Sequence, residues 1–238
     1  MAGEGVGGEG REGGCCVAGL RNNSAGFPPV DMETRNLLPR VFLLSPASTS
    51  GVRAGQLTSP RARFEAAERY RSPEGVTIGE AFTFMSSLYF RGKITYARHF
   101  SSPPPGLALG TPDDGILVIA PGFGLVPPGW PVTPERMKKL KRTPVDLECR
   151  AYCRPMKEHA EQLRDLTGDS ARVILLGSIA TGKYVDVLRP VFGDRLLFPR
   201  TFVGAGDMKR GGLMLRAVRE DEELEYATLD IPRQRKRS

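Results

Sequence analysis

Arg172-Val-Ile-Leu-Leu-Gly-Ser-Ile-Ala-Thr-Gly-Lys-Tyr-Val-Asp-Val187 is the stretch around which the rest of the chain is organised. Its apolar run Val173–Leu176 is typical of a strand that is buried on both faces. A glycine-containing loop follows, and apolar residues then recur at helical spacing up to Val191, with Pro190 expected to limit the helix. The stretch therefore predicts a strand, a glycine loop and a helix, with backbone N–H groups and a lysine placed where anions are favoured.

The loop matches most of a phosphate-binding pattern. Gly177 to Lys183 fit the first seven positions of G-x-x-x-x-G-K-[ST], but Tyr184 replaces the hydroxyl residue that would bind magnesium. Three interpretations stay open: a nucleoside triphosphatase, a tight connection that uses glycine for its geometry alone, or a loop that holds a phosphate, a sugar or a nucleic-acid backbone without hydrolysing a triphosphate. In the third interpretation the binding residues are Gly177, Ser178, Gly182 and Lys183.

The balance of charge favours a polyanionic partner. The 238 residues include 34 Lys and Arg against 27 Asp and Glu, which gives a formal net charge of +7. We therefore expect nucleic acid as the partner, with DNA as the first choice. No run of about eighteen apolar residues predicts a membrane span, and the N-terminus lacks the apolar core of a secretory signal, so we expect a cytoplasmic protein. The sequence does not reveal the oligomeric state.

The four cysteines form two close pairs, Cys15-Cys16 and Cys149 with Cys153. Neither pair resembles the disulfide framework of a secreted protein. Cys149, Cys153 and His159 are too few and too loosely spaced for zinc or an iron–sulfur cluster. We expect Cys149 and Cys153 to be ordinary thiols on a helix, and we expect neither a metal nor another cofactor.

The order of predicted elements indicates one α/β domain over residues 39–231. An N-terminal arm (1–38) is expected to be disordered, a basic tail covers 232–238, and Met32 is a possible native start. Short apolar strands, separated by helices, predict a mostly parallel central sheet flanked by helices. The predicted strands cover 40–44, 116–120, 173–176 and 196–198.

The remaining segments are predicted from periodicity and from glycine and proline content. A polar loop is expected up to Pro60, and a terminal hairpin is expected from residues 213–219 and 224–229. The glycine-rich segment 204–212 is predicted to be a flexible loop. Helices are expected over 61–71, 78–100 with a break at Arg91-Gly92, 135–141 and 148–166.

Three of the predicted strands end in loops of small or constrained residues, at 45–51, 121–124 and 177–182. If the strands are parallel, these loops meet at the rim where open α/β sheets bind ligands. Ser45 and Phe123 are therefore candidate ligand contacts.

The segment 89–100 alternates aromatic and basic residues. Tyr89, Arg91 and Lys93 would suit an exposed base and its phosphate, because stacking faces and positive charge occur together. The alternative is that the apolar residues of the segment are core and the cations lie on a solvated face.

Two carboxylates are the best candidates for chemistry at a glycosidic carbon, Asp207 and Asp186. Such a reaction needs a carboxylate to stabilise a developing oxocarbenium ion or to position water. Lys209 and Arg210, beside Asp207, are candidate phosphate contacts. A surface or capping role is the alternative for each carboxylate.

Several short motifs resemble known prokaryotic proteins: Ser45-Pro-Ala47, Leu88-Tyr-Phe90 with Tyr96-Ala97, and Ile119-Ala-Pro-Gly-Phe-Gly-Leu-Val-Pro127. The resemblance is to uncharacterised α/β proteins related to the peroxide-stress YaaA family and to the uracil-DNA-glycosylase-like domain of archaeosine synthase. It implies a uracil-DNA-glycosylase-like fold and work on nucleobases or nucleic acid. The catalytic motifs of uracil-DNA glycosylases are not found, so no catalytic residue is carried over.

Three functional hypotheses follow. The first is an enzyme that excises or exchanges a normal or modified nucleobase in DNA or RNA, with the flipped base held by an aromatic such as Tyr89 or Phe123. The second is a non-catalytic DNA-binding protein of stress response. The third is an enzyme that processes a nucleotide or a sugar phosphate.

Overall fold

A computed structural model describes residues 38–228, which belong to one compact unit. The predicted N-terminal arm up to residue 37, the pair Cys15-Cys16, Met32 and the basic tail lie outside the described residues. No helix within 38–228 is both long enough and apolar enough to cross a membrane.

The described chain alternates strands and helices. In chain order the strands are β1 (Arg40–Leu44), β2 (Val76–Thr77), β3 (Ile116–Ala120), β4 (Gly124–Val126), β5 (Pro131–Val132), β6 (Arg172–Leu176), β7 (Leu196–Pro199) and β8 (Tyr226–Ala227). The α-helices are α1 (Val52–Thr58), α2 (Glu65–Arg71), α3 (Ile78–Ser86), α4 (Leu88–Phe100), α5 (Pro134–Arg142), α6 (Arg150–Thr167), α7 (Val185–Phe192) and α8 (Asp207–Glu220). Short 3-10 helices cover Pro105–Leu107, Gly193–Arg195 and Arg200–Phe202.

The central sheet has six strands in the order β4-β3-β1-β6-β7-β8. The four inner strands are parallel, and the short edge strands β4 and β8 are antiparallel to their neighbours. β2 and β5 form a separate antiparallel pair. The α/β class and the mostly parallel central sheet predicted from the sequence are therefore confirmed.

Helices cover both faces of the sheet. β1 is apolar at every position from Val41 to Leu44 because alternate side chains point into two different cores. Phe42 and Leu44 pack in the core that contains residues of α4 and α8. Val41 and Leu43 pack in the core that contains residues of α6 and α7.

The order in which strands are added to the sheet reverses between β1 and β6. From β1 the chain crosses to β3 on one side, and it later returns to place β6 on the other side of β1. The loops that follow β1 and β6 therefore diverge and leave a crevice at the carboxyl ends of the strands, which is where ligands bind in open α/β sheets.

Several local predictions are wrong. The predicted loop up to Pro60 contains α1. The predicted break at Arg91-Gly92 occurs instead at Ser87, which has φ of +50° and separates α3 from α4. Pro190 lies inside α7, which continues until Gly193 adopts a left-handed conformation with φ of +56°.

The largest error concerns the segment 204–219. The predicted flexible loop and the first arm of the predicted hairpin are mostly α8, which begins at Asp207. Its glycines are explained by packing rather than by a loop. A Cβ atom at Gly211 would lie 2.9 Å from the carbonyl oxygen of Leu88, and one at Gly92 would lie 2.9 Å from the carbonyl oxygen of Gly211. The two glycines therefore permit contact between the backbones of α4 and α8.

Candidate active site

A cleft of about 460 Å³ opens at the carboxyl ends of β1 and β6. The loops after these two strands, the ends of α3 and α4 and the first residue of α8 contribute to it. It is lined by Ser45, Pro46, Ala47, Ser48, Met85, Ser86, Tyr89, Val145, Ser178, Lys183, Tyr184 and Asp207. The predicted convergence of loops is thus confirmed for the loops after β1 and β6.

Ser45 lies at the base of the cleft, directly after β1. It is only 4% exposed, and its N–H donates to the carbonyl oxygen of Leu176 at 3.2 Å. A Cβ atom at Gly177 would lie 2.9 Å from the Cβ of Ser45. Gly177 is therefore required so that the loop after β6 can lie against Ser45.

Lys93 is buried beneath the cleft. Its side chain comes from α4, is 1% exposed, and donates from Nζ to both the carbonyl oxygen and Oγ of Ser45, each at 2.8 Å. Nζ also lies 4.0 Å from the centroid of the Tyr89 ring. Burial lowers the pKa of Lys93 to about 7, while the charge of Asp207 raises it and that of Arg210 lowers it further.

Two tyrosine hydroxyls lie close to Ser45. Burial raises the pKa of both Tyr89 and Tyr184. Arg210 is the largest influence that opposes the shift at Tyr89, and the nearby Ser45 side chain opposes the shift at both tyrosines. Both phenols therefore stay protonated at neutral pH and can donate hydrogen bonds. Tyr89 Oη is buried and makes no hydrogen bond with the described part of the chain.

Asp207 contributes a carboxylate at the start of α8. Its side chain is 70% exposed, and it is the single acidic residue among those lining the cleft within residues 38–228. Arg210, one turn later, is largely buried and lies 3.6 Å from Asp207. Its guanidinium also donates to the carbonyl oxygen of Phe202 at 3.0 Å. Arg210 therefore holds the start of α8 to the preceding loop.

The glycine loop directs Lys183 towards the cleft. Gly182 has φ of +72°, and a Cβ atom there would collide with the carboxylate of Asp186. The carbonyl oxygen of Lys183 accepts a hydrogen bond from the hydroxyl of Tyr152 at 2.9 Å. The backbone of Lys183 is thus fixed, and its side chain lies in the cleft lining.

The structure brings five predicted site residues into the cleft lining, and it places others around it. The lining contains Ser45, Tyr89, Ser178, Lys183 and Asp207. Lys93 contacts Ser45 from below, and Gly177 and Gly182 shape the loop without lining the cleft. Arg210 supports Asp207 from the same helix.

The remaining four predicted site residues do not line the cleft either. Phe123 packs against Trp130, with ring centroids 4.8 Å apart, beneath the ammonium of Lys139. Lys209 faces another part of the surface, with Arg216 and Arg219. Asp186, one of the two predicted catalytic carboxylates, packs against Gly182. Arg91 is an exposed residue of α4.

The predicted role of Lys93 as an exposed phosphate contact is wrong, because its ammonium is buried under Tyr89. One signal in the sequence could have shown this. Tyr89, Lys93, Tyr96 and Phe100 recur at helical spacing, which places Lys93 within an apolar stripe. The contact between Lys93 and Ser45 joins residues that are 48 positions apart. We find no sequence signal for it.

Cys149 and Cys153, the two cysteines within the described residues, show no metal-site geometry. Cys149 precedes α6 rather than lying on it, Cys153 is in the first turn, and both thiols are free. Within 38–228 no group of three or more His, Cys, Asp or Glu side chains is arranged to hold a metal ion.

Comparisons of the chain with models of known protein families, with curated proteins and with solved structures returned no match.

Proposed function

We propose that the protein is an enzyme of the nucleobase N-glycosylase type, which excises or exchanges a normal or modified base in DNA or RNA in the cytoplasm. The observation that carries this proposal is Asp207, an exposed carboxylate at the mouth of a cleft that also presents Lys183 and several hydroxyl groups. The uracil-DNA-glycosylase-like fold and the YaaA relationship, both implied by the resemblance, are part of the same proposal.

The size and lining of the cleft suit a single base. A volume of about 460 Å³ lies in the range of small-molecule sites. Pro46, Met85 and Val145 offer apolar surface for the faces of a planar ring. The hydroxyl of Ser178 can hydrogen-bond to its edges. Lys93 covers one face of the Tyr89 ring and the Tyr89 hydroxyl is buried, so Tyr89 would shape the wall of the cleft rather than stack on the base.

The charged residues suit cleavage of an N-glycosidic bond next to a phosphate. As the bond to the base breaks, positive charge develops on the sugar, and the Asp207 carboxylate would stabilise it or orient the attacking water. Lys183 would hold a neighbouring phosphate.

Positive charge beside the cleft would bind the phosphates of a longer nucleic-acid strand. Helix α5 carries a run of exposed cations and leads to Val145 in the cleft lining. Such a run attracts a phosphate backbone without reading sequence. The cations of the run are Lys138, Lys139, Lys141 and Arg142.

The first test is release of a base from nucleic acid. We expect the purified protein to release a base from at least one of a set of single-stranded and duplex DNA and RNA oligonucleotides that carry normal and modified bases. Asp207→Asn should lower the rate by roughly 10²-fold or more. Released bases are identified by mass spectrometry, and abasic sites are detected by alkaline cleavage.

Asp194→Asn is the matched control, because Asp194 precedes β7 and so lies at the opposite edge of the sheet from the cleft. DNA binding without base release, unchanged in Asp207→Asn, would favour the non-catalytic DNA-binding protein. If the protein neither binds DNA nor releases a base, the remaining hypothesis is an enzyme that processes a nucleotide or a sugar phosphate.

A second test concerns Lys183. Lys183→Met is expected to weaken binding of a single-stranded DNA oligonucleotide and to reduce the slope of log affinity against log salt by about 1, because one phosphate contact is lost. The free energy of unfolding should change little, since the side chain is only half-buried. Fluorescence anisotropy across a salt series measures the slope.

Lys157→Met is the control for this test, since Lys157 is exposed on α6 and pairs with Glu161 at 3.8 Å. An unchanged salt slope in Lys183→Met would remove the phosphate-binding role and would reduce the glycine loop to a structural turn.

A further inference from the structure

The contact between Ser45 and Lys93 has the geometry of a nucleophile and its base. Ser45 Oγ lies 2.8 Å from Lys93 Nζ, and Ser45 lines the cleft. The same Nζ donates to the carbonyl oxygen of Ser45 at 2.8 Å. As a neutral amine, Lys93 can keep its hydrogen bond to the carbonyl oxygen of Ser45 while its lone pair accepts the proton of the Ser45 hydroxyl.

Lys93 lacks the partner that a structural buried cation needs. It is 1% exposed, and no carboxylate of the described residues lies within ion-pair distance of its Nζ. An unpaired buried ammonium is expensive, so such a lysine loses its proton more readily. Burial lowers the pKa of Lys93 to about 7, so a large fraction of the side chain is a neutral amine at neutral pH.

Two charged side chains on α8, the helix packed against α4, affect the pKa of Lys93. On α8, Asp207 raises the pKa of Lys93 and Arg210 lowers it. On its own helix, the ring of Tyr89 lies against the ammonium. The two charges of α8 oppose each other, so burial remains the largest influence.

We propose that Ser45 and Lys93 form a catalytic pair and that the cleft carries an acyl-transfer activity, the hydrolysis of an ester or amide bond in a small substrate. This activity goes beyond base excision, because it uses Ser45 and Lys93 rather than Asp207. The two activities can therefore be tested separately.

The reaction has two balanced halves. Ser45 Oγ attacks the carbonyl carbon of the substrate and forms a C–O bond while its proton passes to Lys93 Nζ. The bond to the leaving group then breaks, and the leaving group takes the proton from the Lys93 ammonium. In the second half water attacks the acyl-serine and gives a proton to Lys93. The acid is released, and Ser45 recovers its proton.

A tyrosine hydroxyl would stabilise the oxyanion that forms during the attack. The N–H of Ser45 is already committed to Leu176, so another donor is needed. Tyr184 lines the cleft and lies close to Ser45. As Ser45 attacks, negative charge develops on the carbonyl oxygen of the substrate, and the hydroxyl of Tyr184 would donate a hydrogen bond to it.

The test is labelling of the full-length protein with a small alkyl fluorophosphonate, in which Ser45 Oγ would form a bond to phosphorus and displace fluoride. We expect one adduct, which peptide mass mapping assigns to Ser45, and a labelling rate that rises with pH and levels off above about 7. Lys93→Met should slow labelling by roughly 10²-fold or more. Ser45→Ala should abolish the adduct.

Ser50→Ala is the control, because Ser50 is exposed in the same loop and does not line the cleft. Ser50→Ala should label like the unaltered protein. Absence of a Ser45 adduct in the folded protein, an adduct on Ser48 or Ser178 instead, or equal labelling in a folded Lys93→Met would each overturn the proposal. Mapping of the unaltered protein keeps the test valid even if Ser45→Ala fails to fold. Base release from DNA decides the glycosylase proposal and has no bearing on this result.

Discussion

Gly211→Val is expected to lower the free energy of unfolding by about 3 kcal/mol or more. A Cβ atom at Gly211 would lie 2.9 Å from the carbonyl oxygen of Leu88 and 3.1 Å from the Cα of Tyr89. These are backbone atoms of a helix, so they cannot move aside as the end of a flexible side chain can. The larger valine side chain would force α4 and α8 apart.

The same change would also dismantle the site. Helix α4 carries Tyr89 and Lys93, and helix α8 begins with Asp207. Separating the two helices would remove the charge of Asp207 from Lys93 and would open the buried environment of the lysine to water. We therefore expect any activity of the cleft to fall with stability in Gly211→Val.

Gly212→Ala is the matched control, since Gly212 is the next residue of α8 and a Cβ atom there would meet nothing within 4 Å. Alanine is a better helix former than glycine, so Gly212→Ala should stabilise the protein by up to about 1 kcal/mol. Urea denaturation followed by circular dichroism measures both variants. Equal stability of Gly211→Val and Gly212→Ala would show that the two helices do not meet at Gly211.

The sheet could be predicted because its strands are buried on both faces. β1, β3 and β6 are continuous apolar runs in the sequence, and each is flanked by helical patterns long enough for a parallel crossover. The rim where ligands bind follows from that arrangement, so Ser45 and Ser178 could be named as site residues from the sequence alone.

Helix α8 could not be predicted by the same reasoning, because a glycine can indicate either a flexible loop or a close contact between two backbones. In the segment 204–212, glycines at 204, 206, 211 and 212 predict a loop if each is taken as a source of flexibility. Gly211 is instead required by the close approach of Leu88. That approach depends on a residue more than a hundred positions away, and nothing local to α8 indicates it.

The burial of Lys93 is a second case in which local patterns conflict. The alternation of aromatic and basic residues in 89–100 favours an exposed nucleic-acid contact, whereas helical periodicity places Lys93 on the buried stripe. Periodicity prevails because Ser45 supplies two acceptors for the ammonium inside the core. A chain without such acceptors would have turned the lysine to solvent.

Lys93→Met is expected to remove a pH dependence from the stability of the protein. The pKa of Lys93 is about 7 in the folded protein and returns to its ordinary value near 10.5 on unfolding. Between these two values the unfolded chain binds one more proton than the folded chain. The contribution of Lys93 to the free energy of unfolding therefore rises with pH by about 1.4 kcal/mol per pH unit in this window, and it is flat below about pH 7.

Methionine has a similar shape and no proton to bind, so the stability of Lys93→Met lacks this contribution. The difference in unfolding free energy between the two proteins should grow in favour of the unaltered protein as pH rises from about 7 to about 9, and all other titrating groups cancel. Urea denaturation of both proteins across this range measures the difference. Parallel pH profiles would mean that Lys93 does not titrate near neutrality. Ser45 would then lack a neutral amine to accept its proton, and the acyl-transfer proposal would lose its base.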